Sequence, residues 1–258
     1  DATATRGLLN LTGCSYTVSG PATVGRAMTI QGGTVQGSSG GLRISASGVT
    51  VTGMTLRGPG YSADRGHIAI EVTGGSATSY VQAIKLTHNT ISGWDGEGIH
   101  AEFVDGFDVS DNDISNIWYA GIGGSSVQHG TINRNWVHTI IGTGNAYGIY
   151  LSRGYGGGLT RNPRSSDVQV DGNTIEDIPN WEGLDTHAGQ RLQFTNNTIR
   201  RVLNPITIGS SKDSDSDPLY YFAPLAITAS GNRIESQVTD APSGSSRSVA
   251  IMAPWLAT

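Results

Sequence analysis

The segment at residues 181–187, Trp-Glu-Gly-Leu-Asp-Thr-His, holds the residues with the clearest potential for chemistry. Asp185 and His187 are two residues apart, so on a β-strand their side chains point to the same side. A carboxyl group and an imidazole held together can accept and deliver protons during a reaction. Glu182 belongs to the same segment, and Tyr150 can add a phenol if a neighbouring strand brings it close. These four residues are the first candidates for catalysis.

A second acidic group spans residues 95–102 and contains Asp95, Glu97, His100 and Glu102. Carboxylates stacked about 4.8 Å apart repel each other unless one is protonated or a cation lies between them. We therefore expect an acid pair for glycoside hydrolysis, a Ca²⁺ site formed by Asp95 and Glu71, or a solvated acidic surface. Calcium is the only cofactor that the sequence suggests.

Aromatic and basic residues complete the set of candidates. Trp94, Trp118 and Trp181 lie in turns, where their rings either stack on sugar rings or pack as part of the core. Arg153 is a further catalytic candidate, because a cation beside Tyr150 can neutralise a carboxylate. The other candidates for substrate binding are Glu97, His100, Glu102, Tyr147 and Arg191.

A repeated pattern shows which elements must position these residues. In order, the pattern is an apolar residue, any residue, an apolar residue, two residues of any type, an Asn, any residue and a final apolar residue. The Asn positions are Asn89, Asn112, Asn135, Asn173, Asn197 and Asn232, with degenerate copies that have Gly33 and Met54 instead. The period-two alternation predicts strands, and a unit of about 21–24 residues fits one coil of a solenoid. We expect each Asn at a bend, in the αL conformation, where the Asn side chains of successive coils can pair.

A second strand follows each Asn strand and would carry the candidate site. Outward residues of this strand should stack about 4.8 Å apart in successive coils. The first predicted column is Arg43, Ala69, His100, Gly123, Tyr150, Asp185, Thr207 and Ala250, and the second is Ser45, Glu71, Glu102, Ser125, Ser152, His187 and Gly209. Insertions at about 73–83, 154–167 and 211–224 follow this strand at one corner, so we expect a groove walled by loops.

These repeats resemble the right-handed parallel β-helix of the pectate-lyase-like superfamily over nearly the whole chain. The resemblance implies an all-β fold, a single domain over residues 1–258, and a right-handed solenoid of about eight coils. The superfamily includes polysaccharide lyases, glycoside hydrolases, epimerases and phage adhesins, so it leaves the function open. The Gly-apolar-Asp-any-His arrangement at 183–187 is similar to a motif of alginate C5-epimerases. This chain has Glu182 and Thr186 where that family has Tyr and Pro.

Three functions follow as alternatives. The favoured one is β-elimination on a polysaccharide by Tyr150, His187 and Asp185, with Arg153 or Arg191 as the cation. The second is hydrolysis of a neutral glycan by Glu182 with Asp185, or by Glu97 with Glu102. The third is glycan binding without catalysis, as in an adhesin. In each case the expected partner is a polysaccharide or oligosaccharide, and the sequence leaves the oligomeric state open.

Composition narrows the remaining possibilities. Charged residues make up 14% of the chain and the net charge is −5, which argues against binding to nucleic acid. No apolar run approaches the ~20 residues that span a bilayer, so we expect no membrane partner. Because proteins of this fold usually act outside the cell and the sequence begins with Asp1 rather than methionine, we expect a trimmed protein that is secreted or extracellular.

Overall fold

A computed structural model describes residues 7–61, 66–214, 217–235 and 251–252. This part of the chain contains 27 strands and one short helix, α1 (Gly158–Arg161). In chain order the strands are β1 (Leu8–Asn10), β2 (Ser15–Val18), β3 (Ala22–Val24), β4 (Thr29–Gln31), β5 (Thr34–Gly37), β6 (Leu42–Ile44), β7 (Thr50–Thr52), β8 (Thr55–Arg57), β9 (Ile70–Thr73), β10 (Val81–Thr87), β11 (Thr90–Trp94), β12 (Glu97–Glu102), β13 (Val104–Ser110), β14 (Asp113–Ile117), β15 (Ala120–Ser125), β16 (Gln128–Asn133), β17 (Trp136–Ile140), β18 (Tyr147–Ser152), β19 (Ser166–Asp171), β20 (Thr174–His187), β21 (Gln193–Thr195), β22 (Thr198–Gly209), β23 (Ser211–Ser214), β24 (Asp217–Phe222), β25 (Thr228–Ser230), β26 (Arg233–Glu235) and β27 (Ile251–Met252).

The strands form a parallel β-helix with three faces. Face 1 is the nine-stranded parallel sheet β1, β4, β7, β10, β13, β16, β19, β21 and β25. Face 2 comprises β2, β5, β8, β11, β14, β17, β26 and the first halves of β20 and β22. Face 3 comprises β3, β6, β9, β12, β15, β18, β27 and the second halves of β20 and β22. Because β20 and β22 continue around the corner, faces 2 and 3 form one 16-stranded sheet.

The prediction of an all-β solenoid is confirmed, and the nine strands of face 1 define nine coils. We number the coils 1 to 9 by these strands. The sequence pattern shows about eight coils because it misses coil 1, formed by β1, β2 and β3. A terminal coil has a neighbour on one side only, and the strands of coil 1 are largely exposed. Their side chains therefore carry little of the apolar alternation that burial imposes elsewhere.

Aliphatic side chains stacked in register form the core. On face 2, Ile91, Ile114, Val137, Ile175 and Ile199 are paired from coil to coil, and all are buried. On face 3, Ile99, Ile122, Ile149, Leu184 and Ile206 form the equivalent stack. Full burial of such a side chain contributes about 1.5–3 kcal/mol. On face 3, the alternate residues must therefore point outward, which is where the candidate site lies.

The repeated Asn residues form a buried ladder, as predicted. The Nδ2 group of each Asn donates to Oδ1 of the next, from Asn89 to Asn112 (3.0 Å) and onward to Asn232. The predicted αL conformation belongs instead to the preceding residue, such as His88 (φ 57°) or Asp111 (φ 58°). That residue turns the chain. The Asn that follows it can then point into the core and form hydrogen bonds with the neighbouring coils.

Long connections stand at the corner between face 3 and face 1. They join β9 to β10, β18 to β19 and β22 to β25, and the latter two contain α1 and the antiparallel hairpin β23–β24. Residues from these two connections rise beside the outward side chains of face 3. No helix in the part of the chain described above is long and apolar enough to span a membrane.

Candidate active site

Face 3 carries one outward column that runs through coils 2 to 8. Backbone pairing places Arg43, Glu71, His100, Gly123, Tyr150, Asp185 and Thr207 next to one another in that order. The predicted column is therefore wrong at Ala69, which is buried, and Glu71 takes its place. Met252 pairs with Thr207, whereas Ala250 lies outside the described residues. Tyr150 and Asp185 thus lie on one face in adjacent coils.

A pocket of about 210 Å³ opens on this face. The pocket-lining residues are Tyr119, Ser125, Tyr147, Tyr150, Ser152, Arg153, Gly154, Tyr155, Asp185 and His187. Typical ligand pockets measure about 300–1,000 Å³, so this one suits a single small unit of a larger molecule. The three catalytic candidates Tyr150, Asp185 and His187 therefore meet at one accessible cavity.

Tyr150 extends away from Asp185 and reaches back across two coils to Glu97. Its hydroxyl donates to Glu97 Oε1 at 3.1 Å and lies 3.3 Å from Nδ1 of His100. That same His100 nitrogen lies 3.1 Å from Glu97 Oε2. The path crosses Gly123 in the intervening coil, where a Cβ atom would lie 2.5 Å from the Tyr150 ring and 2.1 Å from Glu97 Oε2. Glu97 is 7% exposed, so it holds Tyr150 from beneath rather than facing the pocket.

Three tyrosine rings pack edge to face around the pocket. The ring centroids of Tyr119 and Tyr147 are 5.5 Å apart, and those of Tyr147 and Tyr150 are 5.4 Å apart. Burial, together with the charges of Glu97 and Asp185, raises the pKa of Tyr119 to about 12. Burial also raises the pKa of Tyr147 and Tyr150 well above that of a free phenol. All three are therefore protonated at neutral pH and can donate hydrogen bonds or a proton.

Glu182, Asp185 and His187 form a second cluster at the other end of the pocket. One ligand atom from each lies within 4.8 Å of the others, and His187 Nε2 is 3.2 Å from Asp185 Oδ1. Burial raises the pKa of both carboxyl groups well above the usual range, and repulsion from Asp185 raises that of Glu182 further. Two negative charges are thus disfavoured here unless something neutralises them.

His187 has a defined orientation at the edge of this cluster. Its Nδ1 lies 3.0 Å from the carbonyl oxygen of Ser210, and because a carbonyl only accepts, Nδ1 must carry the proton. In the neutral ring Nε2 then keeps its lone pair. The ring lies over Gly209, where a Cβ atom would be 2.8 Å from Nδ1. With 37% of its side chain exposed, His187 is open to the pocket.

Arg153 supplies a permanent positive charge to the pocket wall. Its guanidinium carbon lies 4.6 Å from the centroid of the Phe222 ring, and its Nε donates to the carbonyl of Asn162 at 3.3 Å. Arg153 thus joins the connection that contains α1 to the one that contains the hairpin. Its charge faces the same cavity as Asp185 and His187.

Two of the predicted substrate-binding residues lie away from this pocket: the prediction for Trp94 is wrong because its ring is buried, whereas that for Arg191 stays a prediction. Trp94 is 1% exposed and fills the space above Gly58 and Gly37, so its ring offers no surface to a sugar. Arg191 lies at the edge of face 1, where it makes two 2.6 Å hydrogen bonds to Asp167. Its guanidinium contributes to a different surface depression, and it does not line the Tyr150 pocket.

The other aromatic candidates lie near the surface. Trp118 is half-buried and stacks on the exposed ring of Tyr61, with centroids 4.4 Å apart. Trp181 is half-buried against the core. Glu102 is half-buried on face 3, in coil 4, where it pairs with Ser125 of coil 5. For these residues a contact with substrate stays a prediction.

Asp95 and Glu71 do not act together. Asp95 is fully buried and accepts from the backbone N–H of His67 at 3.0 Å, while Glu71 accepts from Arg43 at 2.6 Å. In the described residues the only cluster of three potential metal ligands is Glu182, Asp185 and His187. Asp95 and Glu71 thus have separate partners, and Ca²⁺ binding by these two residues stays a prediction.

Sequence reasoning missed a third outward column on face 3. Backbone pairing aligns Glu97, Ala120, Tyr147, Glu182 and Asn204 from coil to coil. This column begins each strand, and a glycine in coils 4 to 7 separates it from the inward aliphatic stack. The repeated glycines were the available signal. The column and its flank bring in Tyr119, Asn204 and Thr207, which were not candidates for the site.

Comparisons with known proteins agree on the architecture. The chain resembles the mannuronan C-5 epimerase AlgE6 A-module of Azotobacter vinelandii, with a TM-score of 0.61 and 16% identity over 95% of this chain and 57% of that one. It therefore spans a little over half the length of that structure. The AlgE4 A-module of the same organism gives 0.52 and 14% over 96% and 86%. The enzymatically active domain of bacteriophage CBA120 tailspike protein 2 gives 0.55 and 10% over 96% and 42%.

These similarities are below 25% identity and establish the fold alone. No curated protein sequence gives a significant match. A family model described as "Right handed beta helix region" matches residues 22–216, which is more than half of the chain. The right hand that the sequence resemblance implied is thereby supported, and the chain belongs to the right-handed β-helix family.

Proposed function

We propose that the protein is a carbohydrate-active enzyme that cleaves a uronate-containing polysaccharide by β-elimination in the Tyr150 pocket. One observation carries this proposal: a histidine whose Nδ1–H donates to a backbone carbonyl oxygen and three protonated phenols face one cavity. Elimination needs a base for the proton on C5 of the sugar and an acid for the oxygen that leaves C4. Both groups are available within this pocket.

His187 is the proposed base. Its Nε2 accepts the C5 proton, the electrons of that bond form the C4–C5 double bond, and the C4–O bond breaks. The hydrogen bond from Nδ1–H to Ser210 holds the ring in the tautomer that this step requires. Solvent at the exposed side of the ring removes the proton afterwards.

Tyr150 is the proposed acid: its hydroxyl, which donates to Glu97 in the free protein, must turn towards the substrate to give its proton to the departing oxygen. His100 lies 3.3 Å from the Tyr150 hydroxyl and can return a proton to it. Burial lowers the pKa of His100, but the charges of Glu97, Glu102 and Glu71 and the hydrogen bond to Glu97 outweigh burial, so the net shift is upward. His100 therefore has an increased tendency to hold the proton that Tyr150 needs.

The charge of the pocket is compatible with an acidic sugar. Arg153 lines the cavity and can attract a uronate carboxylate. Glu97, Glu182 and Asp185 are all buried, and the tyrosines beside them are neutral. The fold similarity to two mannuronan C-5 epimerase modules supports a uronate polymer as the substrate class.

Hydrolysis by Glu182 and Asp185 is less well supported. Glycoside hydrolases place two carboxyl groups about 5–5.5 Å or about 6.5–9.5 Å apart, on either side of the bond that is cleaved. Here oxygens of the two groups lie within 4.8 Å, on one strand, and both carboxyls are buried. A polysaccharide partner also favours a location outside the cell, which we include in the proposal.

A spectrophotometric screen tests the reaction. Incubation with pectate, alginate and glucuronan should produce an absorbance rise near 232 nm from the unsaturated product. We expect His187→Asn and Tyr150→Phe each to lower the rate by about 10²–10⁴-fold. His129→Asn, an exposed histidine on face 1, is the matched control and should retain full activity.

The other outcomes identify the alternatives. New reducing ends without unsaturation would show hydrolysis. Deuterium incorporation at C5 in D₂O without cleavage would show epimerisation. Binding without either reaction, unaffected by His187→Asn, would show an adhesin. Each of these three results would refute the lyase proposal.

A further inference from the structure

Four buried oxygen atoms behind the pocket make no well-formed hydrogen bond, although one of them, Asp185 Oδ1, lies 3.2 Å from His187 Nε2. They are Glu182 Oε2, Asp185 Oδ1, Asn204 Oδ1 and Thr207 Oγ1, and we call them the oxygen cluster. Each of the four residues is at most 5% exposed. A buried polar atom without a partner costs about 1–3 kcal/mol. Four in one place indicate that something outside the polypeptide binds there.

Strand pairing shows that the four side chains belong together. Glu182 is the backbone neighbour of Asn204, and Asp185 is the neighbour of Thr207, between β20 and β22. Two carboxylates in coil 7 thus face an amide oxygen and a hydroxyl oxygen in coil 8.

The dimensions suit a calcium ion. Ca²⁺ binds oxygen at about 2.3–2.6 Å, so two ligands on opposite sides of the ion lie at most about 5.2 Å apart. Potential ligand atoms of Glu182 and Asp185 lie within 4.8 Å of each other. A single ion can therefore contact both carboxylates without a change in the backbone.

The charge of the cluster also requires a cation or protons. Among the described residues no ion pair joins Glu182 or Asp185 to a lysine or arginine, and their only ionisable partner is His187, beside Asp185.

We propose that Glu182, Asp185, Asn204 and Thr207 form a Ca²⁺ site that stabilises coils 7 and 8 behind the pocket. All four donors are hard oxygen atoms, which Ca²⁺ prefers, whereas imidazole suits transition metals. Mg²⁺ keeps several water ligands and fits a buried site less well. His187, whose Nε2 lies 3.2 Å from Asp185 Oδ1, is therefore a neighbour of this site and not one of its ligands. This inference does not depend on the proposed reaction, because a site in an inactive protein would have the same structure.

Calcium binding is measured on protein that has been treated with a chelator. Isothermal titration with CaCl₂ should give one site per chain, with a Kd no weaker than the ~10⁻⁴–10⁻³ M of extracellular calcium modules. At a hundredfold excess over Kd, Ca²⁺ should raise Tm by roughly 5–10 °C. Absence of binding and of any Tm shift would overturn the proposal, and so would tighter binding of Zn²⁺ than of Ca²⁺.

Variants separate a cation site from a merely structural role. Glu182→Gln and Asp185→Asn should each weaken Ca²⁺ binding at least about tenfold, since the charge of the ligands sets the affinity. Glu102→Gln, on the same face but outside the cluster, is the matched control and should bind as the wild type does. Wild-type affinity in Glu182→Gln would refute the site.

Discussion

Because the Tyr150 side chain passes directly over Gly123, the addition of a single methyl group at this position tests how Tyr150 is held. In Gly123→Ala the new Cβ atom would lie 2.1 Å from Glu97 Oε2 and 2.5 Å from two carbon atoms of the Tyr150 ring. Carbon atoms in contact are normally about 3.5–4.0 Å apart. The ring must therefore move by about 1 Å or more, or Glu97 must leave its place.

Either movement breaks the arrangement that holds the phenol. The hydrogen bond from Tyr150 to Glu97 is already 3.1 Å long, so a shift of about 1 Å takes it beyond hydrogen-bonding distance. A misplacement of that size can lower a rate by about 10²-fold. Overpacking of this kind also destabilises the fold by about 1–3 kcal/mol, which corresponds to a fall in Tm of roughly 2–10 °C.

The assay compares the rate on the responsive uronan, the far-UV circular dichroism and the Tm of the variants. Gly144→Ala is the matched control, because a Cβ atom there meets nothing within 4 Å and Gly144 has no positive φ. Tyr150→Phe removes the hydroxyl but leaves the ring in place. We expect Gly123→Ala to lose activity and Tm, Tyr150→Phe to lose mainly activity, and Gly144→Ala to lose neither. A folded Gly123→Ala protein with the rate and Tm of the wild type would refute the proposed positioning of Tyr150.

Three further predictions follow from the same contacts. In an absorbance titration near 295 nm, some phenols should stay protonated above pH 11, since the pKa of Tyr119 is raised to about 12 and that of Tyr150 well above its usual value. Complete ionisation near pH 10 in a chain that remains folded would contradict this. Asn135→Ala should lower the free energy of unfolding in urea by about 2–5 kcal/mol, because it removes the acceptor of the buried Asn112 backbone N–H and the donor to the carbonyl oxygen of Val109. The exposed Gln169→Ala is the control, expected within about 0.5 kcal/mol, and an equal effect of both would argue against the ladder. Because the net pKa of His100 is raised by Glu97, Glu102 and Glu71 despite burial, its contribution to stability is complete below the unfolded value of about 6.5 and is lost as pH rises through the folded value. Urea midpoints at pH 6 and pH 9 should therefore differ more in the wild type than in His100→Asn, and identical differences would refute the assignment.

The elements that burial dictates could be predicted from the sequence. The alternation around Asn112 and Asn135 is imposed by the core and by the ladder, so it marks strands and their spacing without ambiguity. The pairing of Tyr150 with Asp185 follows from the same spacing. Coil 1 was not predicted from the sequence, because its largely exposed strands carry little of this apolar alternation.

The direction of outward side chains could not be predicted in the same way. Spacing places Tyr150 beside Asp185, but its ring extends to Glu97 because Gly123 leaves the room that a larger residue would occupy. Trp94 and Arg191 lie near corners, where the local turn decides which way a side chain points. Pairing along face 3 also brings Asn204 to Glu182, although neither residue type marks a site by itself.

The position of Gly123 has an evolutionary consequence for this architecture. Coil 5 separates the coil of Glu97 from that of Tyr150, and each coil sets its neighbours about 4.8 Å apart. Deletion of one entire coil would leave the interior alternation and the asparagine ladder continuous, so the shortened chain could still fold. The same deletion would remove the gap under the phenol and bring Glu97 closer to Asp185 by one spacing. Changes in repeat number that the interior tolerates would therefore redesign the pocket in a single step.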